Sequence, residues 1–411
     1  MLGEPPAGGF VFNATTEDGM TIRSYRSMQM NRRDAIALLS SGAGLAFVGA
    51  LRDHPALAFG QPGGWFAAAS PNKPTFTKGS VIRTVVKDIP PESLTSGSVQ
   101  IHEHIGGVFA RTPPPPAGSE MVPGVVAPQT EADYLQLMVD ELKMSRAEGV
   151  SCLVDAAASG RRDDRTIENL RQLSTRSNMH IVVGGGYYQD LAIPARYPAD
   201  IVQMPEAMLL EQFVADAERQ RWGAFGEIAS SPQMQSEERK LIRAIGQAHL
   251  RTNLPIFTHT PHQSCPSCAV EQLEVFESVG VDPRRVCIGH LTAIRPDAEP
   301  LGHTAKAIAK RGAFLGFDTV GHTMGRSAIP EAHKVKHVLA VLDAGFEDHL
   351  LFSADSTPAP QLKANWGQGY SSVVTQFVPK LRYAGVKDAL LHKILVDNPR
   401  RFLSFTPKNR S

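Results

Sequence analysis

Short apolar runs alternate with amphipathic segments along the chain from residue 99 onward. A short, continuous, β-branched run bounded by turn residues is typical of a buried strand. By this criterion the chain contains eight predicted strands: Val99–His104, Cys152–Ala156, His180–Gly184, Ala224–Ile228, Pro255–Thr258, Val286–Gly289, Ala313–Phe317 and Leu350–Ser353.

Segments with helical periodicity lie between these strands. Apolar side chains recur at helical spacing in two of them: Leu241, Ile245 and Ala248, then Ala269, Leu273 and Phe276. Strands that alternate with helices form a parallel sheet with right-handed crossovers. The series therefore predicts an α/β fold, a closed (β/α)8 TIM barrel, whose chemistry collects on the loops after the carboxyl ends of the strands.

The N-terminal region has a different composition. Two arginines at positions 32 and 33 precede a Gly- and Ala-rich apolar stretch, and Ala56-Leu57-Ala58 offers a cleavage site. This order resembles a bacterial twin-arginine export signal, with an ordinary amphipathic helix as the alternative. We expect an extension and signal peptide over residues 1–58, a linker over 59–75 and the barrel over 76–411. The mature protein would be periplasmic or secreted, or cytoplasmic if no signal is present.

Charge and hydrophobicity exclude two classes of partner. Lys and Arg number 42 against 41 Asp and Glu, and no basic stripe with interleaved aromatics is present, so nucleic acid is not expected to bind. Apolar residues make up 42% of the chain without a long uninterrupted apolar stretch. We therefore expect no stable membrane insertion.

Four cysteines are too few for a disulfide-scaffold fold in a chain of 411 residues. Cys152 and Cys287 lie in apolar strand-like runs, which predicts buried and inert thiols. The motif Cys265-Pro266-Ser267-Cys268 could be redox-active or half of a zinc site. Because no second pair accompanies it, a local disulfide is the preferred prediction.

Side chains of the kinds that commonly bind metal ions lie at the ends of the predicted strands: His102, His104, Glu227, His259, His290 and Asp355. Residues two apart on a strand point to the same side, so His102 and His104 should both face the barrel interior. Any one of the six could simply cap a helix. Together they predict a site for two divalent metal ions at the mouth of the barrel.

Several motifs carry a family resemblance: Ile101-His102-Glu103-His104-Ile105, the Gly-rich turn Gly184–Tyr188, Thr258-His259-Thr260, the run Arg285–His290, Ser353-Ala354-Asp355 and the closing segment Asn398–Leu403. On these motifs the chain resembles the phosphotriesterase family of the amidohydrolase superfamily over about residues 76 to 405. Many dinuclear members of that family bridge their metals through a carboxylated lysine. Here Glu227 stands at the bridging position.

The resemblance implies a metal-dependent hydrolase with a dinuclear centre. His102, His104 and Asp355 would bind the more buried ion, and His259 and His290 the more exposed one. Glu227 would bridge the two, with zinc as the default metal. A bridging hydroxide would then attack an ester-type bond of a phosphotriester, lactone or carboxylic ester, and Asp355 would accept its proton. Two alternatives remain: a cyclic amide hydrolase or deaminase of the same superfamily, and a non-catalytic metal-binding barrel.

The substrate pocket is less sharply predicted. Candidate lining residues follow the third, seventh and eighth strands: Tyr187, Tyr188, His322 and Trp366. Asp318 could orient a metal ligand or cap a helix. Aromatic lining with few fixed charges favours a small ester or lactone that is uncharged or weakly charged. The run Leu291–Arg295 departs from the acidic stretch usual in characterised family members, which puts their familiar substrates in doubt. Family analogy also suggests a homodimer.

Overall fold

The computed structural model describes residues 73–106, 128, 130–156, 163–188, 203–261, 265–322, 329–357 and 361–408. The predicted export signal and nearly all of the predicted linker lie outside these ranges, so export stays a prediction. Among the described residues, no helix combines the length and apolar character needed to cross a bilayer.

A short antiparallel hairpin, β1 (Ile82–Arg83) and β2 (Asp88–Ile89), precedes the main sheet. The main sheet has eight parallel strands: β3 (Ser98–Glu103), β4 (Val150–Asp155), β5 (His180–Gly185), β6 (Trp222–Ala229), β7 (Ile256–His259), β8 (Val286–Ile288), β9 (Phe314–Phe317) and β10 (Leu350–Phe352). Strands adjacent in the chain are adjacent in the sheet. All eight predicted strands are confirmed.

The first and last strands of the sheet meet through hydrogen bonds. The backbone N–H of Asp355 donates to the carbonyl of His102 at 3.1 Å, and that of His104 donates to the carbonyl of Ser356 at 2.9 Å. The hydroxyl of Ser353 also accepts the N–H of Ile101 at 2.7 Å. These bonds make the sheet a nearly closed barrel, which confirms the predicted fold.

Helices and short turns connect the strands. The α-helices are α1 (Glu131–Ala147), α2 (Asp164–Ser177), α3 (Glu206–Arg219), α4 (Ser236–Thr252), α5 (Pro266–Ser278), α6 (His303–Lys310), α7 (Glu331–Leu342), α8 (Val378–Tyr383), α9 (Asp388–His392) and α10 (Asn398–Leu403). Single turns of 3-10 helix cover Pro91–Ser93, Pro283–Arg285, Leu291–Ala293, Glu347–His349 and Lys363–Asn365, and π-helical turns cover Val373–Phe377 and Lys393–Asp397.

Apolar side chains pack on both sides of the barrel wall. The inner cluster takes at least one residue from each barrel strand, for example Cys152 and Val154 from β4, whereas the intervening Leu153 belongs to the outer cluster with the helices. This period of two is what a closed sheet requires when both of its faces are buried. Cys152 and Cys287 are fully buried, as predicted.

Candidate metal centre

The six predicted ligands come together at the carboxyl end of the barrel. Their donor atoms form three overlapping groups in which all atoms lie within 4.8 Å of one another: His102, His104 and Glu227; Glu227, His259 and His290; and His102, His290 and Asp355. His104 and Asp355 are the most exposed of the six, with 14% and 12% of their side chains accessible. His104 and Asp355, which were assigned to the more buried ion, are therefore more accessible than His259 and His290, which were assigned to the more exposed one.

A shift in strand register turns His102 into the barrel. The pairing of β3 with β4 slips between Gln100 and Glu103, where three steps on β3 match two on β4. Simple alternation would place Ile101 and His102 on opposite faces. Instead, Ile101 belongs to the inner cluster, and the His102 ring packs edge-on against Phe257 of that cluster at 5.4 Å. A bulge of this kind re-aims a side chain, and here it adds a ligand to the interior.

The strand that carries Glu227 is irregular in the same way. Pairing of β6 with β7 slips between Phe225 and Ile228, so that Ala224 and Glu227, three positions apart, both face inward. Gly226 has a φ of +154°, and the Gly226–Glu227 peptide bond is cis. A Cβ atom on Gly226 would lie 2.3 Å from the ring of Phe257. Only glycine fits beside this ring and lets the strand present Glu227.

Two other ligands occupy the left-handed region of backbone conformation. The φ angles are +58° at His290 and +49° at Asp355. Non-glycine residues persist there when surrounding contacts hold them, and such residues cluster at functional sites. The His290 N–H donates to the carboxylate of Asp318 at 2.9 Å. The backbone of Asp355 is held by the hydrogen bond from its N–H to the carbonyl of His102, at the junction of the first and last strands.

Glu227 lies at the centre of the ligand set. Its Oε2 atom is 3.0 Å from Nε2 of His102 and 2.8 Å from Nδ1 of His259, and its Oε1 atom is 3.5 Å from Nε2 of His104. Asp355 Oδ1 lies 2.9 Å from Nε2 of His104. One carboxylate thus contacts imidazoles on both sides of the centre, which is the position a bridging ligand needs.

Asp318, directly after β9, accepts hydrogen bonds from two of the imidazoles at the ring nitrogen that points away from the centre. Its Oδ2 atom accepts the N–H at Nδ1 of His102 and its Oδ1 atom that at Nδ1 of His290, both at 3.0 Å. Of the two roles considered for Asp318, orientation of ligands is the one its contacts support. With Nδ1 protonated, Nε2 of each ring presents a lone pair to the centre.

The arrangement of electron-pair donors at the centre favours binding of a cation. Ring nitrogens and carboxylate oxygens, both electron-pair donors, face each other at 2.8–3.0 Å. Burial opposes protonation of His102, but the carboxylates of Glu227 and Asp318 raise its pKa well above the ordinary value. Burial also opposes ionisation of Asp355, yet the hydrogen bond from His104 and the charge of His290 lower its pKa. Four imidazoles and two carboxylates that attract positive charge in this way fit divalent metal ions such as zinc.

Glu103 also contributes to the site, a role that the sequence analysis did not assign. Its carboxylate is fully buried and accepts the N–H groups of Ala354 and Ser356, each at 2.8 Å. Burial raises the pKa of Glu103 to about 8. Tyr370 donates its hydroxyl to the carbonyl of His104 at 2.7 Å. These buried groups fix the backbone around three ligands.

The four candidate pocket residues have different environments. The Tyr188 hydroxyl lies 3.3 Å from Nε2 of His259, whereas Tyr187 packs against Phe213 of α3. His322 donates from Nε2 to the carbonyl of Ala354, one residue before Asp355. The side chain of Trp366 is 78% exposed. Tyr188 therefore contacts His259 and His322 contacts the backbone beside Asp355, whereas Tyr187 contacts α3 and Trp366 is largely exposed.

Comparison with known proteins identifies a common family. The model of the phosphotriesterase family matches residues 91–403. The N-acetyltaurine hydrolases of Mus musculus and Homo sapiens are each 26% identical to the chain over 351 residues, which cover 79% of the chain and 98% of the relative. The enzyme of that name from Tetraodon nigroviridis is 27% identical over 356 residues, with the same coverage.

Solved structures show the same barrel. A resiniferatoxin-binding protein from Rhodobacter sphaeroides matches with a TM-score of 0.65 and 27% identity, over 82% of this chain and 97% of its own. The phosphotriesterase homology protein from Escherichia coli, solved with phosphate in its active site, matches with a TM-score of 0.61 and 24% identity. It covers 77% of this chain and all of its own. The latter similarity supports the fold alone.

Proposed function

Because the chain belongs to the phosphotriesterase family of hydrolases, we propose that it is a hydrolase that binds two divalent metal ions at the six clustered ligands. The observation that carries this proposal is the convergence of four imidazoles and two carboxylates within overlapping groups of 4.8 Å. The position of Asp318 adds weight, because it aims two ring nitrogens at the centre. A barrel that merely gained stability from buried polar groups would not need this orientation.

The geometry supports one division of the ligands. His102 and His104 form a group with Glu227, and His259 and His290 form a second group with the same Glu227. We propose that each group holds one ion and that Glu227 bridges them. Asp355 also forms a group with His102 and His290, but its shortest contact, 2.9 Å from Oδ1 to Nε2 of His104, supports its assignment to the first ion. Zinc is the first metal to test, since this mixture of nitrogen and oxygen donors suits it.

The metal ions would supply two effects when bound, a lowered pKa for a shared water and polarisation of the oxygen on the scissile bond. Asp355 would accept the proton of that water, because its carboxylate is ionised and is among the most exposed of the ligands. It would then deliver the proton to the leaving group. We propose that Tyr188, whose hydroxyl lies beside His259, contacts the substrate.

The proposal also covers the class of bond that the enzyme hydrolyses. The sequence predicted an ester-type bond, and the curated relatives are named for hydrolysis of an acyl amide. Both bonds break when an oxygen attacks a carbonyl carbon and the leaving group takes up a proton, which is the role proposed for Asp355. We propose hydrolysis of an acyl bond in a small molecule, an N-acyl amide or a carboxylic ester.

A substrate panel with metal analysis tests the proposal. Metal-loaded protein is assayed with N-acetyltaurine, other N-acyl amines, lactones, aryl esters and aryl phosphotriesters. We expect about two metal equivalents per chain and turnover of at least one acyl substrate. Asp355→Asn should abolish turnover and leave the fold intact. Asp164→Asn, at a surface position with 86% exposure, is the matched control and should leave the rate unchanged. A single equivalent of metal, or full activity in Asp355→Asn, would refute the mechanism.

A further inference from the structure

The loop after β7 contains a second chemically reactive feature. Cys265 and Cys268 form a disulfide with a Cα–Cα distance of 5.3 Å. Cys265 occupies the N-cap position of α5, and Cys268 lies within its first turn. The Cys265 side chain is partly exposed, whereas Cys268 is only 2% exposed. One sulfur is thus open to solvent and the other is covered by the protein.

This arrangement favours exchange with external thiols. The start of a helix carries partial positive charge and stabilises a thiolate, particularly within a Cys-x-x-Cys motif. A thiolate stabilised in this way is a better leaving group, which favours reduction of the bond although Cys268 itself is buried. The carbonyl of Pro232 lies 3.4 Å from Sγ of Cys268 and can accept its S–H once the bond is broken. Both redox states therefore have favourable partners.

Helix α5 links the disulfide to the metal centre. Gln272, one turn after Cys268, is fully buried and donates from Nε2 to the carbonyl of His259 and to the hydroxyl of Ser230, each at 2.8 Å. The hydroxyl of Thr260 donates to Oε1 of Gln272 at 3.3 Å. The helix that the disulfide pins at its start therefore holds the end of β7, where a metal ligand lies.

We propose that Cys265 and Cys268 form a reversible thiol–disulfide exchange site for a small thiol of the glutathione class, coupled through α5 and Gln272 to His259. Exchange at the pair does not depend on the hydrolase activity; the coupling rests on the proposed function of the metal centre. The site lies outside the ligand set, and its chemistry is independent of the metals.

The exchange proceeds in two balanced steps. The thiolate of an external thiol attacks Sγ of Cys265, which forms a mixed disulfide and releases Cys268 as a thiolate that takes up a proton. A second external thiolate attacks the sulfur of the bound small thiol, which frees Cys265 and yields the oxidised small disulfide. The protein pair gains two electrons and two protons, and two small thiols lose them. Oxidation runs through the same steps in reverse.

A redox titration tests the exchange. Full-length protein is equilibrated in glutathione buffers of graded ratio, quenched in acid and alkylated after denaturation, and the free thiols are counted by mass spectrometry. Cys152 and Cys287 supply two free thiols in every sample. We expect the count to rise to four as the buffer becomes reducing. A pair that stays oxidised, or stays reduced, at every ratio would overturn the proposal.

Two single variants form a matched pair for the site of attack. Cys268→Ser leaves the exposed sulfur, and we expect it to form a mixed disulfide with oxidised glutathione and to release one reduced glutathione. Cys265→Ser leaves only a buried sulfur and should remain unmodified under the same native conditions. Burial raises the pKa of Cys152 to about 12, so this thiol does not compete. Adducts on both variants, or on neither, would contradict the assigned order of attack.

The coupling has two readouts. Reduction should speed hydrogen exchange in β7 and the start of α5, and should lower the hydrolysis rate severalfold with recovery on reoxidation. Gln272→Leu should lose the redox dependence of the rate. Equal hydrogen exchange in the two redox states would overturn the coupling. If no substrate is turned over, the proposed hydrolase function fails, and thiol counts and hydrogen exchange still decide the redox proposal.

Discussion

The carboxylate of Glu103 accepts the backbone N–H of Ser356 at 2.8 Å, across the junction between the first and last strands of the barrel. Its second oxygen accepts the N–H of Ala354 at the same distance. These two N–H groups flank Asp355, which holds a left-handed conformation. A residue that separates two proposed metal ligands in the chain thus positions a third proposed ligand 252 residues away.

Glu103→Gln should impair the centre without unfolding the protein. The amide retains one acceptor but turns an NH2 group toward a backbone N–H, so one hydrogen bond is lost and two donors face each other. Loss of an outer partner of a metal ligand lowers activity or metal affinity by about 10–100-fold. Metal titration and steady-state kinetics measure the effect. Glu168→Gln, at an exposed position on α2, is the control. Unchanged metal binding and rate would show that Glu103 serves only the barrel closure.

Asp318→Asn should weaken metal binding at the centre. An amide can accept from Nδ1 of only one histidine and places its NH2 group against the other, which favours the wrong tautomer there. We expect a loss of about 10–100-fold in metal affinity. Competition with a chromophoric chelator gives the affinity for each equivalent. Weakened binding of only one equivalent would show that the two histidines depend unequally on Asp318.

Gly226→Ala should destabilise the protein and displace Glu227. The added Cβ atom would meet the Phe257 ring at 2.3 Å, and the φ of +154° is unfavourable for alanine. We expect the free energy of unfolding to fall by roughly 2–5 kcal/mol. Gly345→Ala is the matched control, because its φ is +78° but nothing lies within 4 Å of its Cβ position. Its cost should be about 1–2 kcal/mol from backbone conformation alone. Equal losses in urea denaturation would exclude the predicted steric clash.

Acid should destabilise the barrel in part through His337. Burial, assisted by the positive charges of His333 and Lys306, lowers the pKa of His337 to about 3. Below pH about 6.5 the imidazole of His337 is protonated in the unfolded chain but stays neutral in the folded chain. The free energy of unfolding therefore falls as the pH drops toward 3. This group alone should remove about 2 kcal/mol by pH 5. His337→Asn should flatten the dependence of unfolding free energy on pH between 7 and 5, and the exposed His303→Asn should not. An unaltered slope in His337→Asn would show that other groups control acid stability.

The eight strands and the ligand candidates followed from local pattern. The run Cys152–Ala156 was predicted as a strand because both faces of a barrel strand are buried, which favours consecutive apolar residues, and the observed strand is Val150–Asp155. Ligands such as His259 and Asp355 were found because parallel strands deliver their carboxyl ends to one face, whatever the loops between them do. The disulfide between Cys265 and Cys268 was also predicted, because no second cysteine pair accompanies this motif.

Tertiary structure alone decided how those ligands are aimed. The register slips in β3 and β6 that turn His102 and Glu227 inward depend on hydrogen bonding to a neighbouring strand, which no local pattern encodes. Asp318 contacts His102 across 216 residues of chain, and Tyr188, rather than Tyr187, adjoins His259 because α3 takes up the other ring. Periodicity determines which face of an element is buried. Contacts between elements distant in the chain determine which atom a buried polar group meets, because each depends on a register set by the whole barrel.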